Sequence, residues 1–224
     1  MHIKEFISEI SNIKSVHPWI AYSDFMEVSV CTLKKPFEYI YDENIDNKFL
    51  SVLKKYNDKE KEIFPKLLGI FISLIDIEAS KGFFTDIAGK IFHLLNAENK
   101  KTGQFFTPNN LGYLTANIIN KNDIKEIIDE KGYVTINEPA CGSGSMILGL
   151  ATLMLELGYN PQEQLLIKAT DIDKRCVNMC FTQLGYYGLS AIVIHGDTLS
   201  NKEWEKQYTP IYLLNKWYFK KGVN

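Results

Sequence analysis

The pattern of apolar and polar residues changes near residue 100. Before that point, apolar residues recur every three or four positions, which is the period of an amphipathic helix. A second helix is expected from Ile87 onward, with Asp86 as its N-terminal cap. We therefore expect a helical N-terminal domain over residues 1–100. The clearest apolar stripe consists of Phe64, Leu67, Leu68, Phe71, Ile72 and Ile75.

Short apolar runs alternate with helical patterns after the polar stretch Ala97–Gly103. Thr107-Pro108 is a typical helix start, because threonine caps free backbone donors and proline fits the first helical position. The βαβαβ order predicts an α/β fold, one half of a doubly wound, Rossmann-like parallel sheet, in a second domain over residues 101–224. The predicted strands are Tyr133–Ile136, Leu165–Thr170 and Ala191–His195, and the predicted helices between them are Met146–Leu157 and Lys174–Tyr187.

Composition narrows the class of protein. The net charge of −2 gives no global basic field that would by itself indicate nucleic acid, and 46% apolar residues are normal for a globular protein with a core. No apolar run is long enough for a membrane span, and the N-terminus does not resemble a signal peptide, so we expect a cytoplasmic protein. Cys176 and Cys180 share a helix face without a second pair nearby, so we interpret them as buried apolar residues and expect no metal.

Acidic residues and glycines stand where the predicted strands end. Glu138, Gly142 and Gly144 follow the first strand, Asp171 ends the second, and Asp197 follows the third. Ligands of an open parallel sheet bind at the carboxyl ends of its strands. Glycines allow the backbone to approach a ligand closely, and a carboxylate can accept hydrogen bonds from both hydroxyls of a ribose. The pattern therefore predicts a nucleoside-bearing ligand.

The same loop favours S-adenosylmethionine over a dinucleotide. The segment reads G-S-G-S-M-I, with Ile147 where the dinucleotide fingerprint has its third glycine. Glu138 would repel a pyrophosphate but attract the ammonium group of S-adenosylmethionine. Simpler interpretations remain open: the glycines can form a tight turn, and Asp171 and Asp173 can cap a helix or lie in solvent.

Five segments together resemble the N6-adenine DNA methyltransferases, in particular the modification subunits of type I restriction systems and their small phage- or plasmid-borne relatives. The resemblance covers roughly Asp86 to Asp197 and implies DNA methylation with S-adenosylmethionine as cofactor. It also implies DNA as a partner and a specificity or catalytic partner subunit. The matching segments are D-I-A-G-K-I-F, T-G-Q-F-F-T-P, N-E-P-A-C-G-S-G, A-T-D-I-D and H-G-D-T-L.

The resemblance also implies roles for individual residues. Positions matching the motif F-F-T-P cover the methionine end of the cofactor, and the loop from Glu138 to Gly144 lies beneath it. Asp171 falls at the position of the ribose ligand and Asp197 at that of the adenine ligand. The residues implied in cofactor binding are Phe105, Phe106, Thr107, Pro108, Glu138, Ala140, Gly142, Gly144, Asp171 and Asp197.

The family's reaction motif, Asn or Asp followed by two prolines and an aromatic residue, is absent from this sequence, which has no adjacent prolines. Ile211–Leu214 is a candidate fourth strand with Asn215 at its end; the alternative is a strand or helix that packs on the edge of the domain. Catalytic residues are therefore not assigned. Three functions stay open: a methyltransferase that uses an atypical or partner-supplied segment, a non-catalytic relative that binds S-adenosylmethionine or DNA in a regulatory or decoy role, and a nucleotide-binding half-sheet of another class.

Overall fold

The computed structural model describes residues 2–41, 44–96 and 121–215. The first two ranges are helical, and the third alternates strands and helices. In order along the chain, the elements before residue 100 are α1 (His2–Ile10), α2 (Pro18–Lys34), a 3₁₀ helix (Lys35–Ile40), α3 (Ile45–Leu53), α4 (Asp58–Lys61), α5 (Ile63–Ser80) and α6 (Ile87–Asn96).

The elements of the third range form the predicted α/β fold, which is confirmed. Three parallel strands and one antiparallel strand lie in the order β1-β2-β3-β4, and β4 pairs with β3. The elements are α7 (Lys121–Lys131), β1 (Val134–Glu138), α8 (Ser145–Glu156), α9 (Pro161–Gln164), β2 (Leu165–Asp171), α10 (Lys174–Tyr186), β3 (Ser190–Asp197), β4 (Lys202–Tyr208) and α11 (Pro210–Leu214).

Alternating side chains of the parallel strands cover the two faces of the sheet. Ile167 of β2 and Val193 of β3 belong to the main core, which also contains residues of α8 and α10. Leu166 belongs to a second cluster, in which it packs with Tyr212 and Leu213 of α11. Successive residues of a strand point to opposite faces, so these two clusters lie on opposite sides of the sheet.

The prediction of a fourth strand over Ile211–Leu214 is wrong, because these residues lie in helix α11. Pro210 occupies the first turn of this helix, where proline is tolerated, and the preceding Thr209 is anchored to the sheet. The Thr209 hydroxyl accepts a hydrogen bond from the Ala191 amide at 2.9 Å and donates to the Leu189 carbonyl at 2.8 Å. The alternative interpretation, an element that packs on the edge of the domain, describes this segment.

One continuous cluster of buried side chains joins the helices before residue 100 to the sheet. It runs from Phe6 of α1 through Phe25 of α2 to Phe181 of α10 and Val193 of β3. The predicted boundary between the two domains falls within residues 97–120, outside the described residues, and stays a prediction. Whatever the boundary, α10 packs on α2, so the helical residues form part of the support of the sheet.

Candidate functional site

The loop between β1 and α8 has a backbone conformation that requires its glycines. Gly142 and Gly144 adopt positive φ angles of 53° and 99°. A Cβ atom on Gly144 would lie 3.2 Å from the Sγ atom of Cys180, so a side chain there would be both strained and crowded. The Gly144 amide donates to the Cys141 carbonyl at 2.8 Å, which closes the turn directly before α8 begins.

Asp171 holds this glycine loop against the end of β2. One carboxylate oxygen accepts the Gly142 amide at 2.8 Å, and the other accepts the Asp173 amide at 2.9 Å. The loop after β1 and the end of β2 are therefore in direct contact through the residue that the sequence predicted to bind a ribose. Each carboxylate oxygen has a further lone pair, so Asp171 can still accept hydrogen bonds from a ligand.

Asp197 is the last residue of β3, and its side chain is hydrogen-bonded to the turn that leads to β4. Its carboxylate accepts the Leu199 amide at 3.0 Å and the Ser200 hydroxyl at 2.7 Å. The Ser200 hydroxyl is the main cause of the lowered pKa of the Asp197 carboxyl, which favours the ionised form. The next residue, Thr198, donates to the carbonyl of Pro139 at 2.6 Å and so joins the β3 turn to the loop after β1.

Glu138 and Asp173, the other acidic residues at this edge, differ in their surroundings. Glu138 accepts the Ala140 amide at 3.1 Å and is partly exposed at the end of β1. Asp173 caps α10 by accepting the Arg175 amide at 2.9 Å, and the Arg175 guanidinium pairs with the same carboxylate at 2.5 Å. The helix-cap interpretation therefore applies to Asp173, whose charge is neutralised, whereas Glu138 remains available at the rim.

Four backbone amides of the loop are already hydrogen-bonded within the protein. The amides of Ala140, Cys141, Gly142 and Gly144 all donate to acceptors of the protein itself. A phosphate group needs free N–H donors at such a turn, whereas ribose hydroxyls and an ammonium group need acceptors. The carboxylates at the strand ends therefore fit the hydroxyl and ammonium groups of S-adenosylmethionine.

An exposed isoleucine completes this edge, and sequence reasoning missed it. Ile172 stands between Asp171 and Asp173 with 64% of its surface exposed, although it directly follows a buried strand. An aliphatic side chain held in water beside the ribose-type carboxylate offers an apolar surface to a flat base. The available signal was an apolar residue between two aspartates at a strand end.

Cys141 in the loop and Cys176 and Cys180 in α10 are all buried, as the apolar interpretation of Cys176 and Cys180 predicted. The hydrogen bond with Cys180, together with burial, raises the pKa of the Cys141 thiol.

Within the described ranges, no group of three or more histidine, cysteine, aspartate or glutamate side chains is arranged to hold a metal ion. Among those same residues, no helix has the length and apolar character needed to cross a membrane. The predicted contacts from Phe105, Phe106, Thr107 and Pro108 lie outside the described residues.

A family model described as N-6 DNA Methylase matches residues 80–219, which is more than half of the chain. The chain belongs to the N-6 DNA methylase family. The resemblance seen in the sequence is thereby confirmed, and so is S-adenosylmethionine as the cofactor that this family implies. The matched range includes the glycine loop, Asp171 and Asp197.

Two comparisons with individual proteins accompany the family match. The type I restriction enzyme MpnII methylase subunit of Mycoplasma pneumoniae is 33% identical over 115 residues. That match covers 49% of this chain and 19% of the relative, so the chain spans only a small part of that protein's length. A crystal structure described as a class I S-adenosylmethionine-dependent methyltransferase from Listeria monocytogenes is 14% identical with a TM-score of 0.41, covering 89% of this chain and 70% of that one. This structural similarity is too low to support an argument.

Proposed function

We propose that the chain binds S-adenosylmethionine at the carboxyl edge of its parallel strands and acts in N6-adenine methylation of DNA. The hydrogen bond from the Gly142 amide to Asp171 carries this proposal, because it joins the glycine loop to the ribose-type carboxylate. Membership of the N-6 DNA methylase family supports the reaction class. The location expected for such an activity is the cytoplasm.

Each residue of the rim has a proposed partner on the cofactor. Asp171 accepts hydrogen bonds from the ribose hydroxyls, and Asp197 accepts from the adenine amino group. Glu138 faces the ammonium group of the methionine end, and Ile172 packs against the adenine ring. Gly142 and Gly144 leave room for the ligand at the turn. When bound, S-adenosylmethionine supplies an electrophilic methyl group.

We further propose that catalysis needs an atypical segment or one supplied by a partner. A target adenine has to be held with its amino nitrogen aimed at the methyl group, which calls for acceptors and an aromatic surface. This sequence has no adjacent prolines, and the nearest candidate segment, Ile211–Leu214, lies in a helix. The Mycoplasma relative is a methylase subunit, which is compatible with assembly into a larger enzyme.

The absence of the reaction motif from this sequence also favours a second candidate function. A chain that binds the cofactor or DNA without the reaction motif would act as a regulatory or decoy relative of the methylases. The two candidates share the cofactor site and differ in turnover. Transfer of labelled methyl groups to plasmid DNA, with and without cell extract, separates them. We expect little or no transfer by the chain alone; transfer in the presence of extract supports the first candidate, and its absence in both supports the second.

Calorimetric titration with S-adenosylmethionine tests the proposal directly. We expect Gly144→Asp to abolish binding, because the new side chain would stand where φ is positive and where the Cys180 thiol lies close. Gly158→Asp is the matched control: Gly158 also has a positive φ, of 85°, but a Cβ atom there meets nothing within 4 Å. No binding by the unmodified chain at millimolar cofactor would remove the proposal.

A further inference from the structure

Asp86 makes a buried connection between the helical residues and the glycine loop. It precedes α6 and is only 3% exposed. One carboxylate oxygen accepts the Gly89 amide at 2.7 Å, which is the helix cap that the sequence predicted. The other oxygen accepts the hydroxyl of Ser143 at 2.5 Å, and Ser143 lies between the two glycines of the loop.

Gln183 of α10 completes this connection. Its side-chain amide nitrogen donates to Asp86 at 3.0 Å and also to the backbone carbonyl of Ser143. Its amide oxygen accepts the backbone N–H of Ala88 in α6 at 3.2 Å. Gln183 is fully buried and Ser143 is 2% exposed, so water does not compete for these hydrogen bonds. We call Asp86, Ser143 and Gln183 the Asp86 clamp.

The packing around Gly89 shows how closely α6 approaches the loop. A Cβ atom on Gly89 would lie 2.7 Å from the Ser143 hydroxyl and still closer to the Asp86 carboxylate. Neither group can move away easily, because each is held by the hydrogen bonds of the clamp. Gly89 lies inside a helix, where alanine is normally preferred, so the glycine is explained by this approach rather than by helix formation.

We propose that Asp86 is a positioning residue for the cofactor, acting through Ser143 on the glycine loop. This inference rests on the proposed function. The loop contains two glycines with positive φ and would sample many conformations if it were not held. The clamp holds the side chain of Ser143, which lies between those glycines, and so fixes the Gly142 amide that contacts Asp171. A preorganised loop binds its ligand without the cost of ordering it. The helical residues before position 100 therefore belong to the cofactor site.

Ser143→Ala is the sharpest test, because it removes one hydroxyl and leaves the cap of α6 in place. We expect the dissociation constant for S-adenosylmethionine to rise about 10-fold to 100-fold, as for the loss of a hydrogen bond to a charged group. Asp86→Ala should have a similar effect, and the double variant should bind no more weakly than the weaker single variant. Asp86→Asn should retain most of the affinity, because the Ser143 hydroxyl can rotate and accept from the new amide.

Thr152→Ala controls for a general loss of stability. Thr152 lies in α8, the helix that follows the loop, is 3% exposed, and accepts the Phe84 amide at 2.9 Å, but it does not touch the clamp. We expect this variant to lower the melting temperature and to leave the dissociation constant unchanged. Gly89→Ala and Gly69→Ala form a second matched pair, since a Cβ atom on Gly69 meets nothing within 4 Å. Only Gly89→Ala should weaken binding.

The outcomes separate this inference from the proposed function. If the unmodified chain does not bind S-adenosylmethionine, both are wrong. If it binds and Ser143→Ala binds equally well, the positioning role is wrong while the proposed function stands. A fall in affinity that merely follows the melting temperature across all variants, Thr152→Ala included, would also overturn the positioning role. If Asp86→Ala does not fold, Ser143→Ala and Gly89→Ala still decide the question.

Discussion

Glu205 on β4 is the carboxylate on which three elements converge. Its side chain accepts hydrogen bonds from Lys34 of α2 at 3.1 Å, from Lys174 at the start of α10, and from Gln207 of β4 at 3.1 Å. Lys34 is only 1% exposed, so its ammonium group is held away from water beside this carboxylate. We predict that Glu205→Gln, which keeps the shape and removes the charge, destabilises the protein markedly.

The expected loss of stability in Glu205→Gln follows from the burial of its ion pair with Lys34. Removing one partner of a buried ion pair costs about 3–5 kcal/mol, because the other charge stays buried. The Glu205 side chain is 31% exposed and glutamine still offers an acceptor, so we reduce this to about 2–4 kcal/mol. For a chain of this size the loss corresponds to a fall in melting temperature of roughly 5–15 °C.

Glu203→Gln is a matched control two residues away on the same strand. Glu203 pairs with Lys168 and Lys206, whose side chains are 52% and 48% exposed. Ion pairs of this kind contribute about 0–1 kcal/mol. Thermal melts and urea titrations of both variants at neutral pH make the comparison. Equal losses of stability in the two variants would refute the argument from burial.

The pH dependence gives an independent check on Glu205. Burial opposes ionisation of this carboxyl, but the hydrogen bond from Lys174 and the charges of Lys174, Lys34 and Lys48 outweigh it and lower the pKa from 4.5 to about 2. A carboxyl with a lowered folded-state pKa stabilises the protein above its unfolded pKa, and this stabilisation is lost as the pH falls. The stability difference between the unmodified chain and Glu205→Gln should therefore be constant above about pH 4.5 and shrink between about pH 4.5 and 2. A difference that persists unchanged at pH 3 would contradict the assigned cause.

Three further predictions concern the site, the domain boundary and the helical core. Ile172→Ser should weaken cofactor binding, whereas Leu199→Ser, at a residue that is 99% exposed in the nearby turn, should not; calorimetry compares them. Limited proteolysis should cut first around Asn99–Gly103, and the two fragments should stay together on gel filtration because they share one core; separation of the fragments would argue against this. Tyr56→Phe should cost about 1–2 kcal/mol in urea unfolding, because the hydroxyl donates to the buried Asp24 carboxylate at 2.6 Å; an unchanged midpoint would be inconsistent with that.

The parallel strands could be predicted because their sequences carry a strong local signal. Apolar residues fill Leu165–Thr170 and Ala191–His195, and each run ends at an acidic residue or a glycine. Strands buried on both faces read as continuous apolar runs, and their carboxyl ends meet at one edge. The contact between Gly142 and Asp171 could be anticipated for this reason, although the two residues are far apart in the sequence.

Strand β4 could not be predicted, because its sequence K-E-W-E-K-Q-Y lacks an apolar pattern. Its position in the sheet depends on backbone pairing with β3 and on contacts with residues that are distant in the sequence, such as Lys168 with Glu203 and Lys34 with Glu205. A charged segment of this kind resembles an exposed helix or loop until its partners are known. The adjoining segment stayed open between a strand and a helix for a related reason: its apolar residues suit a strand or a short buried helix, and only Thr209-Pro210 favours the helix.

The Asp86 clamp shows why a correct prediction of a local contact can hide a second contact with a residue distant in the sequence. The sequence identified Asp86 as a helix cap, and one of its oxygens does cap α6. Capping explains the aspartate fully at the level of the sequence, so nothing there suggested a second partner. The other oxygen contacts Ser143, and no periodic pattern links those two positions. Because a carboxylate has two oxygens and capping uses only one, a buried capping aspartate is a residue for which a second, distant contact should be sought. Here that contact joins the helical residues before position 100 to the glycine loop. These helices therefore support the proposed cofactor site, although the architecture of the chain changes near residue 100.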